Sequence, residues 1–281
     1  MGHLFLILLV CLVYISVYMY TSPEPFTNSN NIVIALLCVC PNNIVVEFAK
    51  KMAKSYKVYI LCDDVYCVTP EEPSVTFIKI SDEEVIRAHY TKSNMAIRKI
   101  PSAWDKALYY FCVQNTMPSH VWFIEEDVFV PRVSILSELD EKYPTTDLIA
   151  KQNVSKDEDP DFDWWFDAEE ITTHPLYRSL VCATRVSRTL LDEVKNVVDQ
   201  HHRLYFIEIL FNTIVHEKQM LLAMPVELSA IIWRNDWEDA DIDANHIYHP
   251  VKVLTEQKRY REMLAGVPNS GVEAFRGKFQ N

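Results

Sequence analysis

Glycine is nearly missing from this chain. Its 281 residues contain four, and none lies between Gly2 and Gly266. Phosphate-cradling loops of the GxxxxGK[ST] and GxGxxG kinds need glycines so that backbone amides can approach the phosphates closely. Both loops are therefore excluded. Positive charge is also short: 27 Lys and Arg stand against 39 Asp and Glu, a formal net charge of −12. A nucleic-acid surface needs a basic stripe, so no nucleic-acid partner is expected. An anionic ligand would need a metal or a local basic cluster to hold it. No CxxC pair occurs among the seven cysteines, Cys11, Cys38, Cys40, Cys62, Cys67, Cys112 and Cys182. They read as buried free thiols rather than zinc ligands. Free thiols lean toward a reducing, cytoplasmic setting, although Asn153-Val-Ser155 fits a glycosylation sequon that would place the domain in a lumen.

What is present describes a globular chain, with 49% hydrophobic and 23% charged residues. Leu4 to Tyr20 carries no charge and reaches the lower length limit of a membrane helix. A cleaved signal peptide would want a basic start and a small-residue cleavage site, whereas this chain starts Met-Gly-His and the run closes on tyrosines. The expectation is a single-pass anchor over residues 1–22, a stem over 23–30 broken by Pro23 and Pro25, and one domain over 31–281.

Within that domain "NIVIALLCVC", "KVYILCDD", "VTFIKI" and "HVWFI" read as strands. Between them lie helical patterns, "NIVVEFAKKMAKSY" and "AWDKALYYFCVQNT". Ser81 with Glu84, and Ser102 with Asp105, have capping-box spacing, and Ser187 can cap a helix over "RTLLDEV". Near-continuous apolar strands alternating with helices predict an α/β fold with a mostly parallel central sheet flanked by helices. In such sheets ligands bind beyond the carboxyl ends of the strands. Asp63 and Asp64 fall there, and so do Glu125, Glu126 and Asp127. A solvated strand end is the ordinary account of such acids, but charges are rarely buried unless paired or holding a metal.

Further candidates follow in the second half. Glu208 sits among Tyr205, Phe206, Ile207, Ile209 and Leu210, where burial would raise its pKa toward that of a general base. As an ordinary first-turn acid it would merely serve the helix dipole. Trp164 and Trp165, in "DEDPDFDWWFDAEE", could stack on sugar rings or pack a core. Asp236 and Asp167 are reserve acids, and His246 and His249 are candidate metal ligands. Arg98, Lys99 and Lys106 are candidate phosphate contacts, although solvated lysines are the common case.

The order of these motifs over roughly residues 31–255 resembles the metal-dependent GT-A glycosyltransferases. "EED" matches the family's DxD motif in the form Glu125-x-Asp127, and "YFIEILFNTIV" resembles the helix carrying the catalytic carboxylate. "HIYHPVK" resembles the late histidine completing the metal site, and "AWDKALYYF" the helix beneath the donor. The resemblance implies Mn²⁺ or Mg²⁺ held by Asp127 and His249, with His246 as the alternative. It implies a UDP-sugar donor contacted by Asp63, Asp64, Arg98, Asp105, Glu125 and Glu126. It further implies Glu208 as base of an inverting transfer and an oligosaccharide acceptor at Trp164, Trp165 and Asp236. With the anchor, the chain is also similar to small glycosyltransferases of large algal DNA viruses, including β-xylosyltransferases. That implies UDP-xylose as donor and a fucose hydroxyl as acceptor. A metal-dependent phosphotransferase or hydrolase, and a non-catalytic carbohydrate-binding module, use the same residue types.

Overall fold

The computed structural model describes residues 31–94 and 101–266. The expected anchor and stem, together with Arg98 and Lys99, lie outside the described residues. Among the described residues no helix is long and apolar enough to cross a membrane.

Nine strands are described: β1 (Ile32–Cys38), β2 (Lys57–Cys62), β3 (Val75–Lys79), β4 (His120–Glu125), β5 (Leu148–Ile149), β6 (Val154–Ser155), β7 (Tyr177–Arg178), β8 (Ala183–Ser187) and β9 (Leu222–Ala223). Seven form one sheet in the order β3-β2-β1-β4-β8-β5-β9, and β6 pairs with β7 apart from it. The pairings β3–β2, β2–β1 and β1–β4 are parallel, as the apolar runs predict, and β5–β9, which no apolar run marked, is parallel too. β8 runs antiparallel to both neighbours, β4 and β5. The strand-to-strand period of two explains the unbroken apolar runs. Val33, Ala35 and Leu37 of β1, with Val121 and Phe123 of β4, join one core. Ile34 and Leu36, with Trp122 and Ile124, join the core on the opposite face. Both faces are covered, so neither set can be polar.

Local signals set the helices. Asn42 caps the helix Asn43–Met52 by accepting from the amides of Ile44 and Val45. Ser187 caps Arg188–His201 through the Leu190 amide. Ser102 and Asp105 form the expected capping box at Ala103–Tyr109. Ser81 caps Asp82–Arg87, but only half of its expected box forms. Glu84 instead accepts from the Tyr109 hydroxyl and the Gln114 amide.

A buried ionic cluster locks the two halves of the sheet together. Arg185 of β8 is fully buried and donates to Asp140 Oδ1 at 2.6 Å. The same carboxylate accepts from Trp122 Nε1 of β4 at 3.0 Å and from the Tyr56 hydroxyl at 2.6 Å. Asp140 belongs to the helix Ser134–Lys142, so one carboxylate ties this helix to two strands.

The cysteines correct the free-thiol reading. Cys40 and Cys67 are joined in a disulfide with Cα atoms 5.6 Å apart; Cys38, Cys62, Cys112 and Cys182 are free and buried. The pair was hidden because no short spacing marks it. The parallel register of β1 and β2 aligns Cys38 with Cys62, which brings the loops after both strands together. The argument for a reducing compartment loses its ground with it. Closing a loop of this length stabilises a fold by about 2–4 kcal/mol. Cys40→Ser is expected to lower the unfolding free energy by that amount in urea titrations of the oxidised protein. An unchanged midpoint would show that the bridge does not form in solution.

Candidate active site

The carboxyl ends of β1, β2 and β4 open on a cleft of about 520 Å³, whose wall includes Asp63, Asn94, Trp104, Glu125, Asp127 and Lys252. That size suits a small-molecule ligand. The main chain fixes the acid triplet in place. The Glu125 amide donates to the Cys182 carbonyl and that of Glu126 to Leu37, each at 2.9 Å. The Val251 amide donates to the Asp127 carbonyl at 2.7 Å. The buried Gln257 amide bridges the carbonyls of Glu126 and Val251. Residues 125–127 are thus clasped by β1, by the approach to β8 and by the segment carrying His249.

His249 is 6% exposed and its strand segment bridges to Ile231. Its Nδ1 lies 2.8 Å from the Ile232 carbonyl. A carbonyl only accepts, so Nδ1 carries a proton and Nε2 is the atom turned to the site. Nε2 lies 3.5 Å from Asp127 Oδ2. Burial lowers the imidazole pKa, but the Asp127 hydrogen bond and charge outweigh it, and the net direction is up. His246 is turned away, its Nδ1 held by Asp243.

Glu125 accepts from Trp104 Nε1 at 2.6 Å. Burial and then the charge of Asp127 push its pKa up. Burial does the same to Glu126, which also lines the cleft. Ligand atoms of Glu125, Cys182 and His249 all lie within 4.8 Å of one another. Two carboxylates and one imidazole nitrogen suit a hard divalent ion such as Mn²⁺ or Mg²⁺. Glu125 and His249 belong to that group and Asp127 meets His249 at 3.5 Å, so the three have the donor chemistry for the metal that the resemblance implies.

Glu208 lies in the first turn of the helix Ile207–Glu217 and is 8% exposed. Burial pushes its pKa up to about 7, against the pull of Arg178; the charge of Glu125 adds to the rise and that of His249 opposes it. The Arg178 guanidinium is 4.0 Å away and is itself engaged by Asp159 and lies over the Phe162 ring. A carboxylate balanced near neutrality beside a candidate metal site can take a proton from a hydroxyl.

Several expected contacts are not available to a ligand. Asp105 is buried, and its oxygens accept from the Ser93 amide and from the amide and hydroxyl of Ser102. It is a cap, not a donor contact. Lys106 is not a solvated lysine but a buried one, paired with Asp82 at 2.7 Å and bonded to Asp63. Asp64 accepts from the Tyr66 amide and is absent from the cleft wall, whereas Asp63 lines it. Asp167 pairs with Arg203 and accepts from the Phe206 amide at 2.8 Å, so it fixes the start of the Glu208 helix. Trp165 is a core residue with Nε1 bound to the Asp159 carbonyl. Trp164 is half-buried and packs on Phe206. Asp236 lies in a second cleft of about 630 Å³. Lys252 lines both clefts and was not singled out from the sequence, although it closes the quoted "HIYHPVK". Among the described residues it is the one cation on the wall of the acid-rich cleft.

No family model matches the chain, and no curated protein matches it. Solved structures do overlap with it. Mouse xyloside xylosyltransferase 1, in its apo form, aligns at a TM-score of 0.37 and 10% identity, over 69% of this chain and 85% of its own. An active-site mutant of LgtC aligns at a TM-score of 0.45 and 13% identity, over 88% of this chain and 99% of its own. Both overlaps are loose.

The environment of Glu208 costs stability. An unfolded glutamate ionises near 4.5, this one near 7, so keeping it ionised in the fold costs up to about 3 kcal/mol above neutrality. The cost is absent below the unfolded pKa, grows between the two values and is constant above the folded one. Glu208→Gln is therefore expected to raise the unfolding free energy by roughly 1–3 kcal/mol at pH 8 and leave it unchanged near pH 4. Urea titrations at both pH values check this; an equal effect at both would show that Glu208 is not ionisation-strained.

Proposed function

We propose that the chain is a divalent-metal-dependent glycosyltransferase, moving a sugar from a UDP-sugar to a glycan hydroxyl with inversion. The observation that carries this reading is the placement of Glu125 and Asp127 on the cleft wall, each close to His249, with Glu208 close enough to feel the charges of Glu125 and His249. A bound Mn²⁺ or Mg²⁺ would offset the charge that develops on the departing diphosphate. Asp127 and His249 would hold it, and Glu125, anchored on Trp104, would add a carboxylate to the site or contact the ribose. Lys252, on the wall of the same cleft, would meet the phosphates. Asp63 and Asn94, also on the cleft wall, would contact the nucleoside. Glu208 takes the proton of the acceptor hydroxyl onto its carboxylate as that oxygen attacks. The apolar surroundings that raise its pKa to about 7 make it a usable base near neutral pH.

The finer reading rests on the sequence resemblance to small glycosyltransferases of large algal DNA viruses. It names UDP-xylose as donor, a fucose hydroxyl as acceptor and a β-linked product, made by an enzyme anchored through residues 1–22. Asp236, beside the Lys252 end of the cleft, remains the candidate acceptor contact. Of the two tryptophans only Trp164 keeps any exposed surface for that role.

Calorimetry on the full chain with UDP-xylose, with Mn²⁺ and then with chelator, tests the metal. Binding is expected only with Mn²⁺, and Asp127→Asn is expected to abolish it; equal binding in chelator rejects the metal role. Glu208→Gln separates transferase from binding module. It should bind metal and donor normally while transfer falls by at least about 10²-fold. Transfer by the unmodified enzyme should rise with pH through about 7, as the base loses its proton. A fully active Glu208→Gln protein would remove Glu208 as the base.

A further inference from the structure

His249 Nε2 serves two sets of neighbours. One is Asp127, at 3.5 Å. The other is Glu125 and Cys182, whose ligand atoms lie with that of His249 inside a 4.8 Å envelope. Cys182 is 8% exposed and is held there by main chain, since its carbonyl takes the Glu125 amide at 2.9 Å. Donors around one zinc ion, at about 2.0–2.3 Å from it, sit on the order of 3.5 Å apart, so the three atoms need close in by only about an ångström.

We propose that Glu125, Cys182 and His249 form a second metal-ligand set, selective for thiophilic divalent ions such as Zn²⁺, Cd²⁺ and Co²⁺. It overlaps the Mn²⁺ or Mg²⁺ set, sharing Glu125 and His249 with it and exchanging Asp127 for Cys182. The inference rests on the reading of His249 as a metal ligand given above. Mn²⁺ and Mg²⁺ prefer oxygen and leave the thiol as a bystander, whereas softer ions take sulfur. When such an ion binds, the Cys182 S–H bond breaks, its proton passes to water and the sulfur electron pair bonds the ion. Nothing is oxidised or reduced. Because His249 cannot serve both sets at once, a thiophilic ion displaces the metal used for donor binding. The cleft is thereby open to inhibition by zinc.

Titration of the full chain with Co²⁺ alone reads this without any activity assay. The expected spectrum combines the visible d–d bands of bound cobalt with a near-ultraviolet sulfur-to-cobalt charge-transfer band. Cys182→Ser should lose the charge-transfer band and bind Zn²⁺ about 10- to 100-fold more weakly, with Mn²⁺ affinity unchanged. Asp127→Asn should keep the charge-transfer band although it loses Mn²⁺, which covers the case of a Cys182→Ser protein that does not fold. Visible bands without charge transfer would overturn the thiol ligand and leave the Mn²⁺ site standing. A charge-transfer band that survives in Cys182→Ser would assign it to another cysteine and overturn the inference. No cobalt absorption at all would overturn both readings of His249.

Discussion

The antiparallel return of β8 beside β4 is the constraint on which the cleft depends. A fully parallel sheet would bring the next strand in from the far edge. Here the chain leaves by β6 and β7 and re-enters at the carboxyl end of β4, and this sets Cys182 against Glu125. The arrangement is locked from inside by Asp140, which holds Arg185 of β8 and Trp122 of β4 at once. Removing one partner of such a buried pair strands the other charge, at a cost of about 3–5 kcal/mol. The geometry of the cleft mouth is thus enforced from within the sheet's packing, by buried groups that do not line the cleft.

The mouth itself is electrostatically unsettled. Burial pushes the pKa values of Glu125, Glu126 and Glu208 upward, and the carboxylates reinforce one another. His249 meets Asp127 but cannot neutralise all of them. A divalent cation relieves this crowding more effectively than a single proton, because it interacts with several carboxylates together. The same arrangement suits a chain almost without glycine. Under the function proposed above, the charge of a diphosphate would be met by a metal and by Lys252, the one cation on the cleft wall among the described residues.

The sheet was legible because β1, β2 and β4 are covered on both faces and so show unbroken apolar runs. The acid triplet was legible because it ends one of those runs, where a parallel sheet places ligands. Asp105 was misread although the sequence held the warning: the Ser-x-x-Asp spacing that marks a cap also consumes the carboxylate. Trp165 and Asp167 sit in an acidic stretch that looks solvated, yet both are buried and each has a specific partner, the Asp159 carbonyl within the stretch for one and Arg203 from outside it for the other. Cys182, Gln257 and the Cys40–Cys67 bridge depend on which strands lie side by side, and no local pattern reports that. His249 and His246 are told apart by what holds Nδ1, the Ile232 main-chain carbonyl for one and the Asp243 carboxylate for the other.

The distribution of the site along the chain has a consequence for its birth on the ribosome. β1, β2 and β3 are consecutive both in sequence and in the sheet, so this part of the molecule can assemble, and its cysteines can meet, early in synthesis. Domains generally form in this N-to-C direction as residues emerge at about 5–20 per second. Asp127 follows, and Glu208 comes much later. His249, which closes the cleft by pairing its segment with both residues 127–129 and 230–232, is the last to arrive. Until then the acids face open solvent and the imidazole that would fix an ion among them has not yet been made. A nascent chain therefore cannot hold a metal in this geometry before its sheet is in place.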